Sequence, residues 1–179
     1  LLLALDSGVT VVVHPMLAGR IRYAAPLGKK RVRDGLILAL DNGMELRYHD
    51  AKDMGKVYLV TDLNQVPGFA ELSIEADDPS LTLEQFRERL RKFQGEIKGV
   101  LTNQRFVAGI GNAYADEILW CAAIYPMRRR AGLSAEEVDR LYNCMRIALQ
   151  RAVETLRERV GDKIDVEVRD FLAIHGQED

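Results

Sequence analysis

The sequence predicts an α+β fold: an antiparallel β-sandwich, incomplete at its start, followed by a helical domain. Apolar residues recur with period two and strong hairpin turns up to about residue 62. They recur with helical spacing after about residue 81. Between these regions lies a Pro-Gly and acidic stretch with neither period. The 179 residues are 47% hydrophobic and 29% charged, enough to bury a core in one domain or two small ones. No apolar stretch approaches the roughly 18 residues of a membrane span.

Strands are expected over 1–5 and 9–14, flanking Asp6-Ser7-Gly8, a hairpin signal. Residues 20–24 and 36–40 follow, separated by a basic loop with Lys29, Lys30, Arg31 and Arg33. A second hairpin signal, Asp41-Asn42-Gly43, joins 36–40 to 44–49, and 56–60 is a further short strand. Residues 63–81, with Pro67-Gly68 and an acidic run from Glu75 to Asp78, read as a linker. Thr82 with Gln85 forms a capping box that opens the first helix, and Ser134 with Glu137 forms another. The second opens a long amphipathic helix carrying Val138, Leu141, Met145, Leu149, Ala152 and Leu156 on one side. Helices are also expected over 96–107 and from Asn112 to about Ile124, within a helical domain spanning 82–163. Residues 164–179 read as an extended tail.

The formal net charge of −2 does not by itself point to nucleic acid, although a local basic patch on a neutral chain can. Cys121 and Cys144 lie in helical patterns without Cys-x-x-Cys spacing, which reads as reduced, buried thiols in a cytoplasmic protein rather than as a metal site. His14, His49 and His175 are scattered and suggest no metal constellation. His49 and Asp50 are adjacent in a strand and so face opposite ways, which argues against a catalytic pair. Trp120 and Tyr125 read as core or interface rings.

The most informative stretch is 101–130, read as helix, Gly109-Ile110-Gly111 turn, helix and basic exit. Gly109 suits a left-handed helix end, Ile110 can plug a core, and Gly111 lets a ligand backbone approach. Asn112 is an N-cap candidate, and Asp116 and Glu117 sit in or near the first turn, where acids complement the dipole. Three readings stand side by side. The first is an ordinary capped helix corner. The second is a dinucleotide fingerprint, which lacks the preceding strand and has Tyr114 at the third glycine position. The third is a nucleic-acid phosphate clamp, favoured by Arg105 before the turn and by Arg128, Arg129 and Arg130 after the helix.

Gln104-Arg105, Ala108-Gly109-Ile110-Gly111-Asn112, Tyr114, Asp116-Glu117-Ile118-Leu119 and Pro126 resemble the helix–two-turn–helix signature of the formamidopyrimidine-DNA glycosylase/endonuclease VIII family. The likeness extends to residues 1–8, to His14 and Gly19-Arg20, to 46–50 with Gly55, and to 171–176, in the family's order. The resemblance implies a base-excision repair enzyme that flips an oxidised base out of DNA and cuts at the abasic site. In the family an N-terminal proline amine forms a Schiff base, assisted by a neighbouring Glu and by a Lys at a strand start. These positions would precede Leu1, so no catalytic residue is expected in this chain, which would be inactive alone. The family's four-cysteine zinc finger would lie after Asp179, so no cofactor is expected here either.

The implied phosphate-binding residues are Arg105, Gly109, Gly111, Asn112, Tyr114, Arg128 and Arg129. The implied intercalating positions fall on Leu17, with Met16 adjacent, and on Lys52 and Met54. Lys52 stands where the family usually has Arg and so loses the planar fork, while Met54 stands where it usually has Phe and loses the flat ring. Met16 and Leu17 also suit plain loop or core roles. The partner implied is double-stranded DNA with a damaged base or an abasic site; no membrane is implied, and family members are usually monomeric. The alternative is a non-catalytic nucleic-acid-binding module, or a truncated paralogue that binds damaged DNA.

Overall fold

The computed structural model describes residues 1–161 except 17 and 27, together with residues 168, 172 and 174. The predicted tail and His175 therefore fall largely outside the described residues. Two compact units result, Leu1–Ala70 and Glu71–Gly161.

The first unit has six strands: β1 (Leu2–Ala4), β2 (Thr10–His14), β3 (Gly19–Ala24), β4 (Asp34–Ala39), β5 (Glu45–Asp50) and β6 (Lys56–Val60). They form two antiparallel sheets, ordered β1-β2-β6 and β3-β5-β4. The expected hairpin turns form, with Gly8 and Gly43 at φ of 80° and 77°. β2 is central in its sheet and buried on both faces. Val11 and Val13 meet Tyr48 of the opposing sheet, while Val12 packs with Val60 and Val66. The three valines supply the β-branched surface such a strand needs. The other face of β5 carries charge: Arg47 bridges Asp34 and Glu45 at 2.7 Å each, and all three are buried. His49 Nδ1 lies 3.0 Å from Asp34 Oδ1, on the face opposite to Asp50, as strand alternation requires.

The second unit contains α1 (Leu83–Arg91), α2 (Ile97–Leu101), α3 (Asn112–Cys121) and α4 (Ala135–Val160). Both capping boxes form at Thr82/Gln85 and Ser134/Glu137. One continuous core joins all four helices, with Phe86, Phe106, Ile110, Ile118, Leu119, Leu141 and Met145 essentially inaccessible. Phe86 stacks edge-on against Phe106 and Tyr142, at centroid separations of 5.1 and 5.4 Å.

Four features differ from the sequence reading. The helix expected over 96–107 stops at Leu101, because Asn103 and Gln104 turn the chain by side-chain-to-backbone bonds. Residues 71–81 belong to the helical unit: Ala76 and Leu81 are buried, the Ala76 N–H donates to the Ala108 carbonyl, and the Ala108 N–H donates to the Ile74 carbonyl. Cys121 and Cys144 are not separate thiols but are bonded to each other, tying α3 to α4 across 23 residues. Trp120 and Tyr125 are 72% and 71% exposed, so of the core and interface alternatives the core one fails.

Candidate nucleic-acid interface

The Gly109–Asn112 turn is built from backbone and braced from behind. Gly109 has φ of 91°, a left-handed conformation that favours glycine; a Cβ there would meet only the exposed Glu75 carboxylate, which can swing away. Gln104 holds the turn with both ends of its amide. Its Oε1 accepts from the Gly109 N–H at 2.9 Å, and its Nε2 donates to the Ile110 carbonyl at 2.9 Å and to the Thr102 carbonyl at 3.1 Å. Ile110 is 1% exposed and plugs the core below. The turn therefore cannot swing without withdrawing a buried side chain.

The N-cap of α3 is Gly111, not Asn112, which is the first helical residue. Glycine has no side chain to cap with, and no side-chain hydrogen bond closes this helix start. The N-terminal N–H groups are left without a side-chain partner beside two exposed residues, Gly111 and Asn112. In contrast, α1 and α4 are capped by their own side chains. No acid lies in the first turn of α3. Asp116, expected near it, pairs instead with Lys98 at 2.7 Å, and Glu117 is buried and accepts from the Ile174 N–H at 2.6 Å. An open helix N-terminus with no acid in its own first turn suits an anion, and the exposed Glu75 carboxylate beside Gly109 would have to move aside for it.

The remaining named residues divide by what already holds them. Tyr114 is half-buried against the core. Burial and then the Glu117 charge push its phenol up, so it stays a neutral donor. Arg105 is exposed and pairs with Glu71, also exposed. Arg128 spends its guanidinium on Glu137 and on the Gly132 carbonyl. Arg130 donates to the Phe93 and Arg91 carbonyls. Arg129 is exposed and has no ion-pair partner among the described residues. Residue 17 lies outside the described residues. In the β unit Met16, Lys52 and Met54 are all exposed on turns, Met16 with φ of 51°.

Comparison with known proteins shows the family to which the turn belongs. Residues 72–163, just over half the chain, match the formamidopyrimidine-DNA glycosylase H2TH domain. The formamidopyrimidine-DNA glycosylase of Pelotomaculum thermopropionicum is 35% identical over 99% of this chain and 67% of its own length. The chain belongs to the formamidopyrimidine-DNA glycosylase family. The Symbiobacterium thermophilum enzyme of the same name is 38% identical over 80% of this chain and 48% of its own. The MutM (Fpg) protein of Thermus thermophilus superposes with a TM-score of 0.74 at 32% identity, over 86% of this chain and 56% of that one. The Fpg of Lactococcus lactis, in complex with DNA containing an abasic site, superposes at 0.71 with 28% identity, over 82% and 54%. The chain thus spans between about half and two thirds of the length of these relatives.

The turn singled out in the sequence lies inside the matched domain, but the sequence reading assigns Gln104 no role. The available signal is an amide side chain five residues before a glycine that must be left-handed. The zinc implied by the family finds no fit among the described residues. The two cysteines are bonded to each other, and no three His, Cys, Asp or Glu side chains converge on one point. No helix of the described residues is long and apolar enough to cross a membrane.

Proposed function

We propose that this chain is the DNA-holding part of a base-excision repair glycosylase with abasic-site lyase activity, acting on duplex DNA that carries an oxidised base or an abasic site. The observation that carries the reading is the uncapped N-terminus of α3 behind a turn fixed by Gly109, Gln104 and Ile110. A family relative, the Lactococcus lactis Fpg, has been seen with abasic-site DNA and with DNA containing Fapy-dG, which supports the substrate class. In this reading a DNA phosphate is bound by the N–H groups at the start of α3, by the Asn112 amide and by the exposed Arg129, with Arg105 and the Tyr114 phenol beside them. Such contacts position the duplex without reading its sequence.

Met16, Leu17, Lys52 and Met54 are assigned to the gap left by a flipped base, where apolar side chains wedge between base steps. Lys52 contributes charge without a planar fork, and Met54 bulk without a ring, which points to a damage and opposite-base preference unlike that of relatives with Arg and Phe there.

We assign no catalytic residue among residues 1–179. The polypeptide by itself is expected to hold DNA without cutting it, so borohydride reduction in the presence of abasic DNA yields no adduct; a strong trapped band overturns this. The binding reading is tested by Asn112→Ala and Arg129→Ala. Asn112→Ala weakens intact and abasic duplexes alike, and Arg129→Ala lowers the slope of log Kd against log salt by about 1. Unchanged affinity in Asn112→Ala returns the turn to an ordinary helix corner.

A further inference from the structure

The β unit contains a polar hub that the phosphate-binding turn does not use. The Tyr48 ring is 4% exposed and forms the inter-sheet core with Val11 and Val13. Its hydroxyl reaches the place where two turns end. At Gly19, which closes the turn after β2, a Cβ would lie 2.6 Å from the Tyr48 hydroxyl and would also meet the Pro15 carbonyl. At Gly55, which closes the turn after β5, a Cβ would overlap the same hydroxyl outright. Neither glycine has a positive φ, so what both supply is room for Tyr48.

Asp50 completes the hub. Its Oδ1 accepts from the Lys52 N–H at 3.0 Å, and its Oδ2 accepts from the Gly55 N–H at 2.5 Å and from the Tyr48 hydroxyl at 3.4 Å. Asp50 is 4% exposed, so these donors replace water around its charge. From the outer side Arg33 donates to the Ala51 carbonyl and pairs with Asp53 at 3.6 Å. The turn after β2 carries Met16, 46% exposed with φ of 51°. The turn after β5 carries Lys52 and Met54, the latter 41% exposed, around Asp53, also at φ of 51°. Left-handed non-glycine residues persist where the surroundings over-determine the backbone. Around Asp53 those surroundings are Asp50 and Arg33, while the Tyr48 hydroxyl stands against the glycines that end both turns.

We propose that Tyr48 and Asp50 are positioning residues that lock the turns after β2 and β5 into one pre-ordered wedge for the gap at a damaged or abasic site. The proposal rests on the reading that Met16, Lys52 and Met54 enter DNA there. A wedge already ordered avoids the entropy of ordering on binding, and an intact duplex offers it no gap to fill. Loosening the hub therefore lowers affinity for abasic DNA and leaves intact DNA alone.

The test uses the whole chain with two duplexes, one intact and one containing a tetrahydrofuran abasic site opposite 2-aminopurine. Tyr48→Phe removes only the hydroxyl, and Asp50→Asn removes the charge and one acceptor. Each is expected to reduce the abasic-over-intact affinity ratio about tenfold. Each also diminishes the 2-aminopurine fluorescence change on binding and leaves the salt slope on intact DNA unchanged. Lys52→Ala/Met54→Ala produces the same loss, and adding Tyr48→Phe to it changes little, because the hub acts through those residues. If Asp50→Asn fails to fold, Tyr48→Phe and Arg33→Ala carry the same expectation. The proposal is overturned if the hub variants keep the ratio and the fluorescence change while Lys52→Ala/Met54→Ala loses them. If the unmutated chain shows no abasic preference, or Lys52→Ala/Met54→Ala keeps it, the wedge reading itself fails and the hub falls with it.

Discussion

The turn at 109–114 and the turns closed by Gly19 and Gly55 are built in opposite ways. The first presents main chain: a left-handed glycine, an uncapped helix start and an amide brace. The others present side chains, Met16, Lys52 and Met54, on a frame held by a buried phenol and carboxylate. A surface made of backbone binds what every nucleotide has, a phosphate. A surface made of side chains can change its preference by substitution without changing its frame, which is the role proposed for Lys52 and Met54.

The largest effect expected at the backbone-built turn is that of Gly109→Ala. An L-residue in the left-handed region costs about 1–2 kcal/mol, and the exposed Glu75 carboxylate can move out of its way. Thermal unfolding and DNA binding should both suffer; a variant that melts and binds normally breaks the contrast. Gln104→Ala comes next. It turns the exposed Gly109 N–H to solvent and leaves the part-buried Ile110 carbonyl without its partner, for about 1 kcal/mol by chemical denaturation. DNA affinity should fall with it.

A pH titration separates the two constructions more gently. The Gly55 N–H above all, with the Lys52 and Met54 amides and the Tyr48 hydroxyl, holds the Asp50 carboxyl below its ordinary value of 3.8 despite burial. A group with a depressed folded pKa stabilises the fold fully above its ordinary value, and that stabilisation is lost as pH falls through the folded one. The Lys52 and Gly55 amide resonances should therefore shift below pH 3.8, while that of Gly109, held by the neutral Gln104 amide, should not. Asp34 reinforces the acid sensitivity of the β unit. Burial pushes its carboxyl up, but the Arg31 N–H, His49 and Arg47 outweigh that and hold it low.

Much of this construction is legible in the sequence because it is local. Period-two valines, Asp-Asn-Gly turns and two capping boxes act within a few residues and place six strands and the ends of α1 and α4. The Gly109 turn is legible for the same reason. The length of α2 is not, because apolar residues resume at Phe106 and Val107 after Leu101 while Asn103 and Gln104 divert the chain between them by bonds that composition does not announce. Nor is the Cys121–Cys144 bond, which depends on α3 and α4 packing together. The hub is hidden most deeply. Tyr48 and Asp50 read as ordinary strand residues, and only the fold brings Gly19 and Gly55 to the same hydroxyl.

The most direct measurement compares Asn112→Ala with Met54→Ala on matched intact and abasic duplexes. If the helical turn holds phosphate and the β-unit turns read the gap, Asn112→Ala weakens both duplexes by the same factor, about tenfold. Met54→Ala then weakens only the abasic one. Equal losses from Met54→Ala on both duplexes, or no loss from Asn112→Ala on the intact one, would contradict this division of labour.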